Sequence, residues 1–133
     1  MKTGRCLCGA VSYELSAPPI ATAVCHCKNC QRQSGSAFSV VVLAPSRGLN
    51  AKGAIKAFHD IGDNGNEVIR QFCPDCGSAL FSVLPASPST IAIKAGTLDD
   101  TSWLTPAAQI WCDSAQPWLD LNMKVKFPRD APR

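Results

Sequence analysis

The stretch Cys73-Pro74-Asp75-Cys76-Gly77 decides how this chain folds. The two residues between the cysteines allow a tight turn that aims both sulfurs at one point, and Gly77 can adopt the left-handed conformation that follows such a turn. This pattern is typical of a zinc knuckle. Because a structural zinc is almost always bound by four ligands, a second pair of ligands must come from elsewhere in the chain.

A second close pair of cysteines stands near the start of the chain, in residues 6–9 (CLCG). Two pairs from distant parts of a chain complete a tetrahedral site of four thiolates. We therefore assign Cys6, Cys8, Cys73 and Cys76 to one structural zinc ion. The alternative is that these cysteines are simply buried or disulfide-bonded, and it is disfavoured because both pairs are short-spaced and both are followed by glycine.

A third group of cysteines lies in residues 25–30 (CHCKNC). Three protein ligands plus a vacant position is the pattern of a catalytic zinc. We expect Cys25, Cys27 and Cys30 to hold a second zinc ion and to form the catalytic centre. His26 stands between two of these ligands, so we expect its side chain to point away from the metal.

The eighth cysteine, Cys112, stands alone. It could be the fourth ligand of the second zinc, or a small buried residue beside Ile110 and Trp111. We favour the buried reading, since free cysteine is among the most buried residue types. His59 lies in an alternating segment, where we expect an exposed strand residue.

Composition narrows the class of protein. The chain has 133 residues, of which 46% are hydrophobic and 17% charged, and we expect a single globular domain over 1–133. The net charge of +3 includes no basic run, which argues against nucleic-acid binding. The longest apolar run is far below the ~20 residues that cross a bilayer, and the N-terminus does not resemble a secretory signal. Clustered cysteines in such a chain are more often metal ligands, and we expect a soluble cytoplasmic protein without a membrane partner.

Short alternating or β-branched runs separated by turn residues predict a mainly β fold. The predicted strands are Ala10–Leu15, Ile20–Val24, Ala37–Leu43, Ile55–His59, Glu67–Phe72, Ala79–Val83, Thr90–Ala95 and Ala108–Cys112. We also predict a short helix after Cys27, a turn at Asp63–Gly65 and a frayed tail over 128–133.

Three segments carry a resemblance to a known family. They are residues 4–14 (GRCLCGAVSYE), 25–38 (CHCKNCQRQSGSAF) and 70–78 (RQFCPDCGS), with 110–114 (IWCDS) and 117–118 (PW) near the end. In this order they resemble the glutathione-dependent formaldehyde-activating enzyme family, which also includes centromere protein V-like zinc proteins.

The resemblance implies a β-tent fold of small antiparallel sheets pinned by a structural zinc, with a short helix near the second metal site. It implies that the zinc at Cys25, Cys27 and Cys30 is the functional one. The reaction that it implies is that of a carbon-sulfur lyase, nominally the joining of glutathione and formaldehyde into S-hydroxymethylglutathione. The natural substrate and the direction of the reaction stay open.

This chemistry suits the residues. Coordination holds a thiol as the thiolate at neutral pH, although its free pKa is about 8.5, and the thiolate can add to an aldehyde carbon. The carboxylates of glutathione need cations, and the candidates are Lys28, Arg32, Arg70 and Lys94. We favour Arg32 as the substrate-binding residue because it follows the metal loop directly.

Two other functions compete with the lyase. In the first, both zinc ions are structural and the chain is a binding module without catalysis. In the second, Cys112 is the nucleophile of a thiol reductase that resembles the B-type methionine-sulfoxide reductases. The weak charge and the missing fourth ligand count against the module, and the cluster at residues 25–30 counts against the reductase.

Overall fold

Ten short strands dominate the structure, a computed structural model that describes residues 1–131. The strands are β1 (Lys2–Arg5), β2 (Ser12–Leu15), β3 (Ala21–Cys25), β4 (Ser39–Pro45), β5 (Leu49–Lys52), β6 (Lys56–Ile61), β7 (Glu67–Phe72), β8 (Ala79–Val83), β9 (Thr90–Lys94) and β10 (Ala108–Ile110). One short α-helix, α1, spans Lys28–Ser34, and single 3₁₀ turns cover Ser46–Gly48, Ala95–Thr97 and Cys112–Ser114. The predicted mainly β fold with a short helix after Cys27 is confirmed.

The strands form two sheets. The smaller sheet has the order β1-β2-β5 and the larger one the order β10-β3-β4-β9-β8-β7-β6. Both sheets are antiparallel except where β10 runs parallel to β3. Because β3 ends at Cys25 and leads within three residues into α1, the larger sheet delivers the second cysteine cluster to the start of the helix.

The main hydrophobic core lies on one face of the larger sheet. Val42 of β4 and Ile93 of β9 are fully buried there and pair across the two strands. Tyr13 and Leu15 of the smaller sheet join the same cluster. Because side chains alternate along a strand, Lys94 of β9 is turned to the opposite face, where a cavity lies.

The predicted strands β7 and β8 have the bounds that the sequence indicated, and the turn at Asp63–Gly65 is confirmed. The backbone N–H of Gly65 donates to the carbonyl of Gly62 at 2.9 Å, which closes the β6–β7 hairpin. The sequence missed β1 (KTGR) and β5 (LNAK), which lack a run of β-branched or aromatic residues. Both form because β2 pairs with them on its two sides, and pairing overrides weak propensity.

The last strand is shorter than the predicted Ala108–Cys112. Trp111 has a φ of 57°, in the left-handed region, and this conformation ends the strand at Ile110. The backbone N–H of Trp111 then donates to the carbonyl of Arg129 at 2.9 Å. A 3₁₀ turn begins at Cys112 instead.

The tail 128–133, predicted to fray, is described only as far as Ala131, and residues 132 and 133 lie outside the described residues. Within the described part, the carbonyl of Pro128 accepts a hydrogen bond from Asp113 at 3.1 Å. The guanidinium of Arg129 lies over the ring of Trp111, 4.7 Å from its centroid. These contacts tie Pro128 and Arg129 to the residues that follow β10.

Candidate metal centre and adjoining cavity

Two cysteines of the loop between β1 and β2 meet two cysteines of the loop between β7 and β8. The sulfurs of Cys6 and Cys8 lie 3.7 Å apart, and those of Cys8 and Cys73 lie 3.8 Å apart. With Cys76 they form a group whose sulfurs all lie within 4.8 Å of one another. Four thiolates bound tetrahedrally at ~2.3 Å from a zinc ion would lie ~3.8 Å apart, so this donor set fits zinc.

The backbone bends at the glycine after each pair, and at Gly77 it does so as the sequence predicted. Gly77 has a φ of 78° and donates its N–H to the carbonyl of Cys73 at 2.9 Å. Gly9 has a φ of 82° and donates to the carbonyl of Cys6 at 3.2 Å. A residue with a β-carbon would be strained at both turns, which explains why glycine follows each pair.

Hydrogen bonds within and between the two loops surround the four sulfurs. The backbone N–H of Val11 donates to Cys6 Sγ at 3.3 Å, and Cys76 Sγ lies 3.2 Å from Ser78 Oγ. The same hydroxyl accepts the N–H of Leu7 at 3.0 Å, which links the first loop to the second. Hydrogen bonds from the side chain and backbone of Ser78 lower the pKa of Cys76 to about 5. These contacts favour the thiolate form that binds metal.

The second cluster forms where β3 passes into α1. Cys25 ends the strand, Cys27 is the N-cap residue of the helix, and Cys30 lies in its first turn. The sulfurs of Cys25 and Cys30 are 3.5 Å apart, and all three sulfurs lie within 4.8 Å of one another. This spacing is a few tenths of an ångström from that of zinc-bound thiolates, so the three residues fit zinc as well.

Cys27 has a second role in the helix. Its sulfur accepts the backbone N–H of Cys30 at 3.2 Å, as an N-cap side chain does. The cap therefore holds Cys27 and Cys30 on the same side of the first turn. All eight cysteines are free thiols, so neither cluster is a disulfide.

The charges of the second cluster are unequal. Hydrogen bonds from Cys25 and Cys27, helped by the positive charges of Lys94 and Arg70, lower the pKa of Cys30 to about 2 against the opposing effect of burial. Hydrogen bonds with Cys27 and Cys30, together with burial, raise the pKa of Cys25. Cys30 is thus the preferred position for negative charge in this group.

Two buried cations supply the positive charge. Lys94 is 7% exposed, and its Nζ donates to Ser39 Oγ at 2.9 Å. Burial lowers the pKa of Lys94 although the charge on Cys30 opposes this. Arg70 is 5% exposed, and Asp60 accepts from its Nε at 2.9 Å.

A cavity of about 160 Å³ adjoins the second cluster. The sulfur-bearing residues and the two cations line it together with apolar side chains of β3, β4 and β10, among them Ala23, Val41 and Ile110. The described tail and the β6–β7 loop contribute Asp130 and Asp63. The arrangement brings three sulfurs and two cations to one small space with partly apolar walls.

The four cations considered as substrate-binding residues lie in different places in the structure. Arg70 and Lys94 line the cavity itself, whereas Arg32 and Lys28 are exposed on α1. Arg32 lines a separate outer groove of about 470 Å³ together with Asn29, Gln33 and Phe58, and Arg70 lines both spaces. Sequence order favoured Arg32 because it is near the cysteines in the chain, but strand alternation brings Arg70 and Lys94 nearer in space.

The remaining candidates lie apart from the sulfurs. His26 is 1% exposed, and its Nε2 lies 2.8 Å from Gln109 Oε1, pointing away from the second cluster as expected. Cys112 is half-buried and is not part of either cluster among residues 1–131. His59 is an exposed residue of β6 whose Nδ1 lies 2.9 Å from Glu67 Oε1. The second cluster therefore has three protein donors within the described chain.

A cysteine-rich, mainly β protein with two clusters able to hold metal ions is the class that this fold and site define. The family model described as glutathione-dependent formaldehyde-activating enzyme matches residues 1–114. The chain belongs to this family, and the resemblance noted in the sequence is confirmed.

Comparison of structures supports the fold. A crystal structure of a Rhodobacter sphaeroides protein, solved as a structural genomics target, matches with a TM-score of 0.61. The match covers 94% of this chain and 98% of that chain at 19% identity, so the likeness concerns the fold alone. A search of curated protein sequences finds no match. No helix within residues 1–131 is long and apolar enough to span a membrane.

Proposed function

We propose that this chain is a zinc-dependent carbon-sulfur lyase that acts on a small thiol adduct, nominally S-hydroxymethylglutathione formed from glutathione and formaldehyde. The observation that carries the proposal is a cluster of three cysteine sulfurs, with no fourth protein donor among residues 1–131, that opens onto a cavity with two buried cations. Family membership supports the same class of reaction.

Zinc would be held at this centre by Cys25, Cys27 and Cys30. When bound, the ion would hold a substrate thiol as its thiolate at neutral pH. The four-cysteine cluster would hold a structural ion, since its four donors leave no position for a substrate.

The reaction is an addition without oxidation or reduction. A bond forms between the thiol sulfur and the aldehyde carbon, the carbon-oxygen double bond becomes a single bond, and the proton of the thiol ends on the new hydroxyl. Lys94 lines the cavity with an ammonium whose one hydrogen bond described here goes to Ser39. Its other hydrogens can stabilise the charge that develops on the aldehyde oxygen and donate a proton to it, and the proton released by the thiol then restores the ammonium.

The size of the cavity restricts what enters it. Pockets for drug-sized ligands usually measure about 300–1,000 Å³, and this cavity of about 160 Å³ is smaller. It suits the thiol arm and a one-carbon aldehyde, whereas the remainder of a tripeptide would lie outside. The adjoining groove, with the exposed guanidinium of Arg32 beside Asn29 and Phe58, is where we place that remainder. Arg32 thus binds a substrate carboxylate at the rim.

The test is the rate at which the hydroxymethyl adduct forms from glutathione and formaldehyde, followed by NMR exchange against the uncatalysed rate in the same buffer. We expect the zinc-loaded wild type to accelerate exchange in both directions and the Cys27→Ser variant to lose the acceleration. If the wild type, loaded with two zinc ions per chain, leaves the uncatalysed rate unchanged, the proposed reaction is wrong.

A further inference from the structure

We propose that Arg70 is a positioning residue for the second cysteine cluster, in which its hydrogen bond to the sulfur orients Cys30 as a metal ligand. The inference rests on the proposed function, because it takes zinc to be held by Cys25, Cys27 and Cys30. It differs from the expectation that Arg70 is one of the cations for a substrate carboxylate.

Two of the three guanidinium nitrogens of Arg70 donate to groups of the chain. Its Nε donates to Asp60 Oδ2 at 2.9 Å, and its Nη1 donates to Gln33 Oε1 at 3.2 Å and to Cys30 Sγ at 3.9 Å. Its side chain is 6% exposed. Since the carboxylate of Asp60 balances the guanidinium charge, we do not expect Arg70 to capture a second carboxylate from a substrate.

The register of the β6–β7 hairpin fixes this arrangement. Arg70 lies opposite Phe58, and Asp60 stands two residues beyond Phe58 on β6, so both side chains are on one face of the sheet. A diagonal pair of this kind is within reach of a long side chain. The pairing of β6 with β7 therefore fixes the position of the guanidinium independently of its contacts with α1.

The same contacts tie the hairpin to the helix that carries Cys30. Asn29 donates its Nδ2 to Asp60 Oδ2 at 3.0 Å and to the carbonyl of Ile61 at 3.2 Å. Asn29, Cys30 and Gln33 all belong to α1. Arg70 and Asp60 thus join β6, β7 and α1 around Cys30 Sγ. Without Arg70, we expect this sulfur to be free to turn away from Cys25.

Arginine suits this role better than lysine. Its planar fork offers donors in fixed directions, and here they meet a carboxylate, an amide oxygen and a sulfur at once. Partners that orient metal ligands from outside the first coordination sphere typically contribute 10–100-fold to metal affinity. We therefore expect an effect of that size on the second zinc and none on the first.

The experiment measures the zinc affinity of both sites in the full chain by competition with a chelator, for the wild type and for Arg70→Gln. We expect the second site to weaken by about 10–100-fold and the first site to keep its affinity. Arg47→Gln is the matched control, since Arg47 is exposed in the 3₁₀ turn Ser46–Gly48, and it should leave both affinities unchanged. A purely structural role would instead lower the melting temperature and weaken both sites alike.

Because Arg70→Gln leaves the half-buried carboxylate of Asp60 without its cation, a second variant removes both charges together, Asp60→Asn with Arg70→Gln. The same selective weakening is expected there. If the second site keeps its affinity within threefold in every folded variant, or if both sites weaken equally, the inference is wrong. A wild type that binds one zinc ion instead of two would contradict the proposed function as well, whereas two ions with unchanged affinities in the variants contradict this inference alone.

Discussion

Cys8 Sγ lies 3.8 Å from Cys73 Sγ although 65 residues separate them in the chain. Cys8 belongs to the loop after β1 of the smaller sheet, and Cys73 follows β7 of the larger sheet. A metal ion bound to both cysteines would cross-link the chain across residues 8–73, which include strands of both sheets. Two members of the four-cysteine cluster, Cys6 and Cys73, are fully buried in the main core, so the site and the core depend on each other.

The two cysteine clusters should differ in their effect on folding. We expect Cys76→Ser to unfold the domain, because a structural zinc contributes roughly 10–16 kcal/mol in small peptides, as much as the whole stability of a typical domain. Cys27→Ser should leave the domain folded, since the second cluster lies beside the cavity and outside the main core. Circular dichroism and thermal melting of both variants measure this difference. Equal loss of folding in the two would contradict the division into a structural and a functional site.

The sequence predicted which cysteines lie together because cysteine spacing reports directly on turn geometry. It predicted β7 and β8 because their β-branched and aromatic residues favour strands. It could not predict β1 or β5, which depend on pairing with β2, and it placed the end of β10 too late because nothing in its pattern announces the left-handed Trp111. The contact of Arg70 with Cys30 was also hidden, since it arises from the register of two strands against a helix.

Arg32 should affect the binding of the substrate and not its conversion. Replacing it with glutamine removes an exposed cation at the rim of the groove, so we expect KM for glutathione to rise about twofold to fivefold, the size of an exposed charged contact, with kcat unchanged. Steady-state kinetics of the NMR exchange reaction give both constants. Arg47→Gln serves as the control and should leave KM at the wild-type value. A fall in kcat with unchanged KM would contradict the assignment of Arg32 to substrate binding.

Cys112 should be dispensable for the reaction. It is half-buried in the 3₁₀ turn Cys112–Ser114 and belongs to neither cluster among the described residues. We expect Cys112→Ser to keep activity within about twofold of the wild type, because serine is nearly the same size. Complete loss of activity, with both zinc ions retained, would instead favour the thiol-reductase alternative.

Zinc should leave the two sites at different pH values as the pH falls. Metal ligands must be deprotonated, so acid competes with the ion for each thiolate, and bound zinc is expected above and not below the pH of release. The second cluster offers three protein thiolates and the first offers four, so we expect the second site to release its zinc at the higher pH. A pH titration with a colorimetric zinc indicator would show two steps, of which Cys27→Ser lacks the first. Release in a single step from the wild type would contradict this expectation.

The most direct test of the account is the zinc content of freshly reduced protein, measured by elemental analysis for the wild type and Cys27→Ser and followed by glutathione titration of both. The account predicts two ions per chain falling to one in the variant, with glutathione perturbing only the wild type. Two ions in the wild type without any response to glutathione would contradict an open thiol-binding centre and favour a binding module in which both ions are structural.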